Sequence, residues 1–135
     1  MRYLIDENLP PTLLEGVAVN DVEIPYVSLR TLYPANTKDE QWIRDIRTED
    51  VVVLSLDTKM AHYRIHRSDL EANNITIVFL PKSRFQYRRA IEQKAWISLH
   101  FHRVHAFVTE LSQPTGVSVT ATGNSKILWT VGDPL

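Results

Sequence analysis

VVVLSLD, at residues 51–57, is an apolar run rich in β-branched side chains that ends in an acid. Apolar and polar residues do not alternate in it, which is typical of a strand covered on both faces in a parallel sheet. A similar run, ITIVFL, follows at residues 75–80 after a segment long enough for a helix. Since helices joining parallel strands form right-handed crossovers, the sequence predicts an α/β fold. We expect a mainly parallel sheet of about four to five strands flanked by helices.

The first fifty residues supply further predicted elements. Residues 2–5 read as a first strand, and residues 26–29 as a second. Pro10 and Pro11 can open a short helix that stops near Gly16, because proline is tolerated in a first helical turn. Residues 37–40, TKDE, fit a capping box and predict the start of another helix, with Trp42, Ile43 and Ile46 on its apolar face.

The C-terminal part predicts one long helix and a hairpin. Residues 86–111 follow a helical pattern that ends before Pro114 and Gly116. Its predicted apolar side comprises Ile91, Ala95, Leu99, Val104, Phe107, Val108 and Leu111. Two strand-like segments then flank a Gly-Asn pair at residues 123–124, which is typical of a hairpin. We therefore expect a main domain over residues 1–112, with residues 113–135 as a C-terminal hairpin extension of it.

The composition excludes several classes of protein. The chain has 135 residues, of which 44% are hydrophobic and 23% charged, as expected for one globular domain. It has no cysteine, which excludes a disulfide scaffold, a thiolate nucleophile and a Cys-based zinc site. A basic region followed by an apolar stretch is missing from the N-terminus, and no run is long enough to span a bilayer. We expect a cytoplasmic protein that does not enter membranes.

Charge is unevenly distributed along the chain. Residues 1–57 carry 5 Lys and Arg against 11 Asp and Glu, whereas residues 58–110 carry 9 against 4. Such a division suits a protein that concentrates cations at one place and attracts a polyanion beside it. The alternative is that each half only forms a solvated surface.

Three acids are predicted to meet at one edge of the sheet. Asp6 and Asp57 each follow a predicted strand, and Asp39 lies at the start of a helix that begins on the same edge. Clustered carboxylates repel one another unless a cation compensates them, and oxygen ligands suit Mg²⁺ or Mn²⁺. Each acid has a structural alternative as a helix cap or a partner of a helix dipole. Capping leaves the additional acid Glu7 unexplained.

The order of these motifs resembles the PIN-like ribonuclease domains. The residues that carry the resemblance are Asp6-Glu7-Asn8 after the first strand, Asp39-Glu40 at a helix start, and Ser55-Leu56-Asp57 at the end of a buried strand. More narrowly, the chain resembles the toxin-type branch that begins with a DEN-like motif. The resemblance covers roughly residues 1 to 110 and implies a three-layer α/β fold.

The resemblance implies a divalent-metal-dependent endoribonuclease, often the toxin of a toxin-antitoxin pair. Asp6, Asp39 and Asp57 would be the ligands of Mg²⁺ or Mn²⁺, with Glu7 and Glu40 as nearby or water-mediated partners. Ser55 would orient the carboxylate that follows it or a water beside it. Asn8 and Lys59 would hold the loop or contact phosphate. RNA and an antitoxin protein are the implied partners.

The basic half is the predicted RNA-binding region. Its cations are Lys82, Arg84, Arg88, Arg89 and Lys94, opposed locally by Glu92. Phe85 and Tyr87 lie between them, where unpaired bases can stack. Arg64 and Arg67 are expected to extend this surface. Alternatively, the two aromatic residues pack into the core and the arginines only decorate a helix end.

Other interpretations stay open at this point. A phosphoacceptor receiver domain also has an acidic pair after its first strand and an Asp after its third, although the predicted number of crossovers disfavours it. A nuclease-like fold that only binds RNA or protein is another alternative. The hairpin can cover a sheet edge, form a homodimer contact or receive an antitoxin segment. The five histidines are expected to be ordinary surface or core residues rather than a zinc site.

Overall fold

The computed structural model describes residues 1–45, 51–56, 64–112 and 114–130, except the side chains of residues 39, 40 and 64–66. The strands in these ranges are β1 (Arg2–Ile5), β2 (Ala18–Val19), β3 (Val22–Glu23), β4 (Tyr26–Ser28), β5 (Val51–Ser55), β6 (Ile75–Phe79), β7 (Thr115–Val119) and β8 (Ser125–Thr130). The helices are α1 (Leu29–Leu32), α2 (Asp39–Asp45), α3 (Arg64–Ala72), α4 (Lys82–Phe85) and α5 (Ala90–Thr109).

The main sheet has six strands in the order β4-β1-β5-β6-β7-β8. All neighbouring pairs are parallel except β7 and β8, which form the C-terminal antiparallel hairpin. The predicted α/β fold with a mainly parallel sheet is therefore confirmed. The strand count exceeds the predicted four to five because β7 pairs with β6 and carries the hairpin into the same sheet.

Strand β5 lies at the centre of the core and is buried along its whole length. Successive side chains of a strand point to opposite faces. Val52 and Leu54 accordingly pack in one apolar cluster with the long helix α5, whereas Val51 and Val53 pack in a second cluster with residues of α2 and α3. Helices thus cover both faces of the sheet, in the three layers that the sequence predicts.

The predicted short helix at residues 10–16 is wrong. This segment instead forms successive turns, in which the amide of Leu13 bonds the Pro10 carbonyl and the amide of Glu15 bonds the Thr12 carbonyl, each at 3.0 Å. Both bonds span three residues rather than the four of an α-helix. Gly16 closes the segment with a φ of 75°, a conformation that glycine adopts without steric cost.

Helix α2 begins one residue later than the predicted capping box implies. The Thr37 hydroxyl donates to the Pro34 carbonyl at 2.6 Å, and the first turn of α2 closes on the carbonyl of Lys38. Lys38 therefore stands at the cap position and Asp39 is the first helical residue. The side chain of Glu40 lies outside the described residues.

The long helix is shorter than predicted and its buried face is rotated. It runs from Ala90 to Thr109 rather than over the predicted residues 86–111, and residues 82–85 form the separate helix α4. Ile91 and Leu99, both predicted to be buried, are 69% and 67% exposed. The buried side chains are Gln93, Trp96, Ile97, Phe101, Val104 and Val108. The two large aromatic residues in this set provide more apolar area for the core than Ile91 or Leu99 would, and this favours the observed rotation.

Candidate functional site at the carboxyl edge of the sheet

Strands β1 and β5 are parallel neighbours, with Ile5 opposite Leu54. From β1 the chain leads to β4 on one side of the sheet, and it then crosses to β5 on the other side. A crevice forms outside the carboxyl ends of two strands where the strand order reverses in this way, and ligands of open α/β sheets bind in it. Asp6 follows β1 directly, and Leu56 follows β5. Asp6 therefore lies at the switch point of the sheet.

The carboxylate of Asp6 is buried, and each of its oxygens accepts a hydrogen bond from a described residue. Asp6 is 4% exposed. The Ser55 hydroxyl donates to Oδ2 at 2.7 Å, and the amide of Glu7 donates to Oδ1 at 2.8 Å. Bonds of this kind to an ionised acceptor are short and directional, and they orient the carboxylate. Ser55 was predicted to orient the acid that follows it or a water. Its hydroxyl bonds Asp6, which follows the neighbouring strand, while Asp57 lies outside the described residues, so the predicted role of Ser55 toward that acid stays a prediction.

Arg30 supports the loop that carries Asp6, and it was not among the predicted site residues. Its Nε donates to the Glu7 carbonyl at 2.8 Å, and its Nη2 also bonds that carbonyl. The amide of Leu9 closes the loop on the Asp6 carbonyl at 3.0 Å. Arg30 comes two residues after β4, which is a parallel neighbour of β1. A cation directly after a predicted parallel strand is the signal that could have indicated it.

Two clefts are lined by residues that neighbour Asp6 and Ser55 in sequence. The first has a volume of about 410 Å³ and lies between Asn8, Arg30 and Thr37. The second has a volume of about 520 Å³ and extends from Asn8 and Leu56 to the segment that follows β6. Asn8 is exposed and lines both clefts. Its predicted place at the site edge is consistent with contact to a bound polymer.

The remaining predicted ligands are placed only in part. Asp39 is the first residue of α2, two residues after Thr37 of the first cleft, but its side chain is outside the description. Asp57 and Lys59 also lie outside the described residues, and Arg64 is described by its backbone alone. Glu7 is exposed beside Asp6. Within the described part of the chain, no group of three or more His, Asp or Glu side chains is close enough to hold a metal.

The donor chemistry of Asp6 fits an oxygen-preferring cation. Each carboxylate oxygen can accept more than one bond, so a hydrogen bond to Ser55 or to the Glu7 amide is compatible with metal ligation. Mg²⁺ is usually held by one or two carboxylates with several waters. The role of Asp6 as a metal ligand, like the roles of Asp39 and Asp57, stays a prediction.

The predicted RNA-binding cations after β6 form an exposed group, which we call the basic surface: Lys82, Arg84, Arg88 and Arg89. Because β6 is parallel to β5, its carboxyl end places this surface on the same edge as Asp6. Glu92 bonds Arg89 at 3.0 Å and Arg88 at 3.5 Å. The hydrogen bond from Arg89 lowers the pKa of Glu92. The surface is therefore positive but partly compensated.

The two aromatic residues of this region have different environments. Phe85 is buried and packs edge-to-face against Trp96, with ring centroids 5.4 Å apart. Tyr87 is 98% exposed. The structural alternative therefore holds for Phe85, whereas Tyr87 is available to a ligand.

Arg67 was expected to extend the basic surface, and this is wrong. It is 4% exposed, and its guanidinium lies 4.9 Å from the centre of the Trp129 ring. Its Nε donates to Glu71 at 3.1 Å and its Nη2 to the Thr130 carbonyl at 3.0 Å. We call these four residues the buried arginine site. Arg67 connects helix α3 with strand β8 and does not face the clefts.

Two of the three histidines of α5, His100 and His105, contact other side chains of the fold. His105 is hydrogen-bonded through Nδ1 to the Tyr3 hydroxyl at 2.7 Å, and burial lowers its pKa. His100 contacts Arg103 at 2.6 Å, and its pKa is lowered first by burial and then by that cation. His102 is exposed. His62 and the side chain of His66 lie outside the described residues.

None of the helices in the described ranges combines the length and the apolar character needed to cross a bilayer. Comparison of the chain with curated proteins and with solved structures finds no match. The family model described as PIN like domain matches residues 1–82. The matched region runs from β1 into α4 and contains Asp6, Asp39, Ser55 and Asp57. PIN-like domains are commonly nucleases and typically bind RNA. Because the match covers more than half of the sequence, the chain belongs to the PIN-like domain family.

Proposed function

We propose that the protein is a divalent-metal-dependent endoribonuclease, the toxin of a toxin-antitoxin pair that acts on RNA in the cytoplasm. The observation that carries this proposal is the buried Asp6 carboxylate, which the Ser55 hydroxyl orients at 2.7 Å at the switch point of a PIN-like domain. A buried acid beside open clefts is poorly explained by stability alone, because burying a charge is costly. The toxin role is inferred from the DEN motif of residues 6–8.

Under this proposal Asp6, Asp39 and Asp57 hold Mg²⁺ or Mn²⁺, with Glu7 and Glu40 acting through water. When bound, the ion lowers the pKa of a water and compensates the charge that develops on the phosphate during in-line attack. Ser55 keeps the Asp6 carboxylate in one orientation, as outer partners of metal ligands do. Arg30 fixes the loop in which Asp6 and Glu7 lie.

The same edge provides the groups that would bind RNA. Asn8 lines both clefts, and the basic surface stands at the end of β6. Lys59 and Arg64 are proposed to add phosphate contacts. Cations attract the RNA backbone independently of sequence, so the proposal does not name a preferred target.

The test is a cleavage assay with the purified chain and a labelled RNA that contains single-stranded and structured parts. We expect cleavage in Mg²⁺ or Mn²⁺, none after addition of chelator, and loss of cleavage in Asp6→Asn and Asp57→Asn. Ser55→Ala should retain the fold and lose about 10- to 100-fold of the activity, because a partner of the ligand is removed. The control is Glu110→Gln, an exposed acid at the end of α5. Metal-independent cleavage, or full activity in both Asp variants, would overturn the proposal.

One observation keeps the receiver-domain hypothesis in view. The strand order β4-β1-β5-β6-β7 is also that of flavodoxin-like folds, which include phosphoacceptor proteins. Membership of the PIN-like family favours the nuclease. Incubation with acetyl phosphate separates the two hypotheses: stable phosphorylation of Asp57, without RNA cleavage, would support the receiver.

A further inference from the structure

Tyr87 combines two unfavourable features. It is 98% exposed, and its backbone φ is 60°. A bulky residue with positive φ is strained, and such strain persists only where the surrounding structure enforces it. An exposed tyrosine also gains little from burial of its ring. Neither feature favours a tyrosine at this position on grounds of stability, so the presence of the tyrosine needs another explanation.

The backbone on both sides of Tyr87 is held firmly. The amide of Arg88 bonds the Phe85 carbonyl at 3.2 Å, so a tight turn encloses Tyr87. Gln93 is 7% exposed, and its Nε2 donates to the Phe85 carbonyl at 2.8 Å and to the Arg88 carbonyl at 3.4 Å. A buried amide therefore ties down the residues that flank the turn. The ring of Tyr87 is presented from a fixed base.

Tyr87 lines the second cleft near the Asp6–Ser55 pair. The same cleft is also lined by the cations Lys82 and Arg88 and by Asn8 and Leu56. Asn8 follows the DE pair of residues 6–7, and Leu56 follows Ser55. An exposed aromatic ring beside cations is the combination that binds single-stranded nucleic acid, because unpaired bases stack on the ring while the cations contact the backbone.

We propose that Tyr87 is a stacking platform for an unpaired base, so that RNA crosses the second cleft as a single strand. This inference rests on the proposed function and names the form of its substrate. Lys82 and Arg88 contact the phosphates on either side of the stacked base. Bases in a duplex are already stacked on one another, so a paired segment gains nothing from the Tyr87 ring.

A contact with a protein partner is the competing explanation, because Ile91 and Leu99 are also exposed on the following turns of α5. The charge near Tyr87 favours RNA, since Arg84, Arg88 and Arg89 surround it in sequence. The second cleft is lined by Tyr87 and not by Ile91 or Leu99. Ile91 is therefore a matched control, because it is exposed and apolar, lies four residues further along the chain and does not line the cleft.

The test measures binding of a fluorescent single-stranded oligouridine and of an RNA duplex of equal length, by anisotropy in chelator so that no cleavage occurs. We expect Tyr87→Ala to weaken single-strand binding about tenfold and to leave duplex binding unchanged. Tyr87→Trp should retain binding. Tyr87→Gly should lose binding although it relieves the positive φ, and its melting temperature should not fall. Ile91→Ala should bind as the wild type does.

The outcomes separate this inference from the proposed function. If the protein binds the single strand through Tyr87 but cleaves no RNA in Mg²⁺ or Mn²⁺, the nuclease proposal fails and the stacking platform stands. If the protein cleaves RNA and Tyr87→Ala binds and cleaves as the wild type does, the platform is overturned. Equal losses in Tyr87→Ala and Ile91→Ala, or an equal loss for the duplex, would also overturn it.

Discussion

The buried arginine site and the basic surface contain the same type of residue but differ in what surrounds it. Arg67 is 4% exposed and bonds Glu71 and the Thr130 carbonyl, whereas Arg84 and Arg88 are exposed to solvent. Both regions belong to the positively charged half of the chain. The comparison teaches that a count of charges predicts a polyanion site only after the partners of each cation are known. Arg67 is held by contacts within the fold, whereas the exposed arginines can contact a ligand.

The C-terminal hairpin causes the difference. It brings Trp129 beneath Arg67, and Gly116 of the neighbouring strand allows the indole to approach closely. A Cβ atom at Gly116 would lie 2.3 Å from Trp129 Nε1, so no larger residue fits there without displacement of the ring. Among the described residues, no comparable element covers the basic surface after β6. The position of one tryptophan, 62 residues beyond Arg67, thus determines which arginine is buried.

The largest expected effect is on stability at the buried arginine site. Arg67→Ala should lower the free energy of unfolding by about 3 kcal/mol, because it leaves Glu71 without its partner and opens a gap over Trp129. Chemical denaturation monitored by tryptophan fluorescence measures this change. The control is Arg44→Ala, whose bridge to Asp69 is 3.7 Å long and whose side chain is 62% exposed. That loss should stay below about 1 kcal/mol, and equal losses in the two variants would contradict the comparison.

An intermediate effect is expected on RNA affinity at the basic surface. Arg84→Ala combined with Arg88→Ala should weaken binding of single-stranded RNA about 10- to 100-fold, since two cations are removed from the phosphate path. The dependence of the affinity on salt should become shallower by about 1.4 in log–log slope. The free energy of unfolding should change by less than about 0.5 kcal/mol. A salt titration in chelator measures the slope, and an unchanged slope would place the RNA elsewhere.

The smallest effect concerns Glu92, which competes with RNA for Arg88 and Arg89. Glu92→Gln should strengthen binding of oligouridine by about two- to fivefold at pH 7, because it releases both cations. The hydrogen bond from Arg89 lowers the pKa of Glu92 in the folded protein. The ion pairs are therefore present above the usual carboxyl pKa and are lost as pH falls through the lowered value. Wild type and variant should accordingly converge in affinity at acidic pH, and a constant difference between them would exclude the competition.

The sequence predicts best where a residue is fixed by its own segment. The apolar run of β5 and the acids that follow strand β1 identify the sheet and place Asp6 at its carboxyl edge. Prediction from the sequence fails where remote segments compete for the same place in the core. Trp96 and Phe101 are buried in place of Ile91 and Leu99, and Trp129 packs against Arg67. Arg30 was missed because its target is a main-chain carbonyl 23 residues away, and only its position after a predicted parallel strand could have indicated it.

The hydrogen bond between Asp6 and Ser55 has a consequence for folding as well as for chemistry. It forms only when Ile5 lies opposite Leu54, since a slip of one residue between β1 and β5 would turn Ser55 to the other face of the sheet. The bond therefore forms only in the correct strand register, and its acceptor is the candidate catalytic acid Asp6. A chain that pairs these strands out of register would lose this bond and, with it, the fixed orientation of the Asp6 carboxylate.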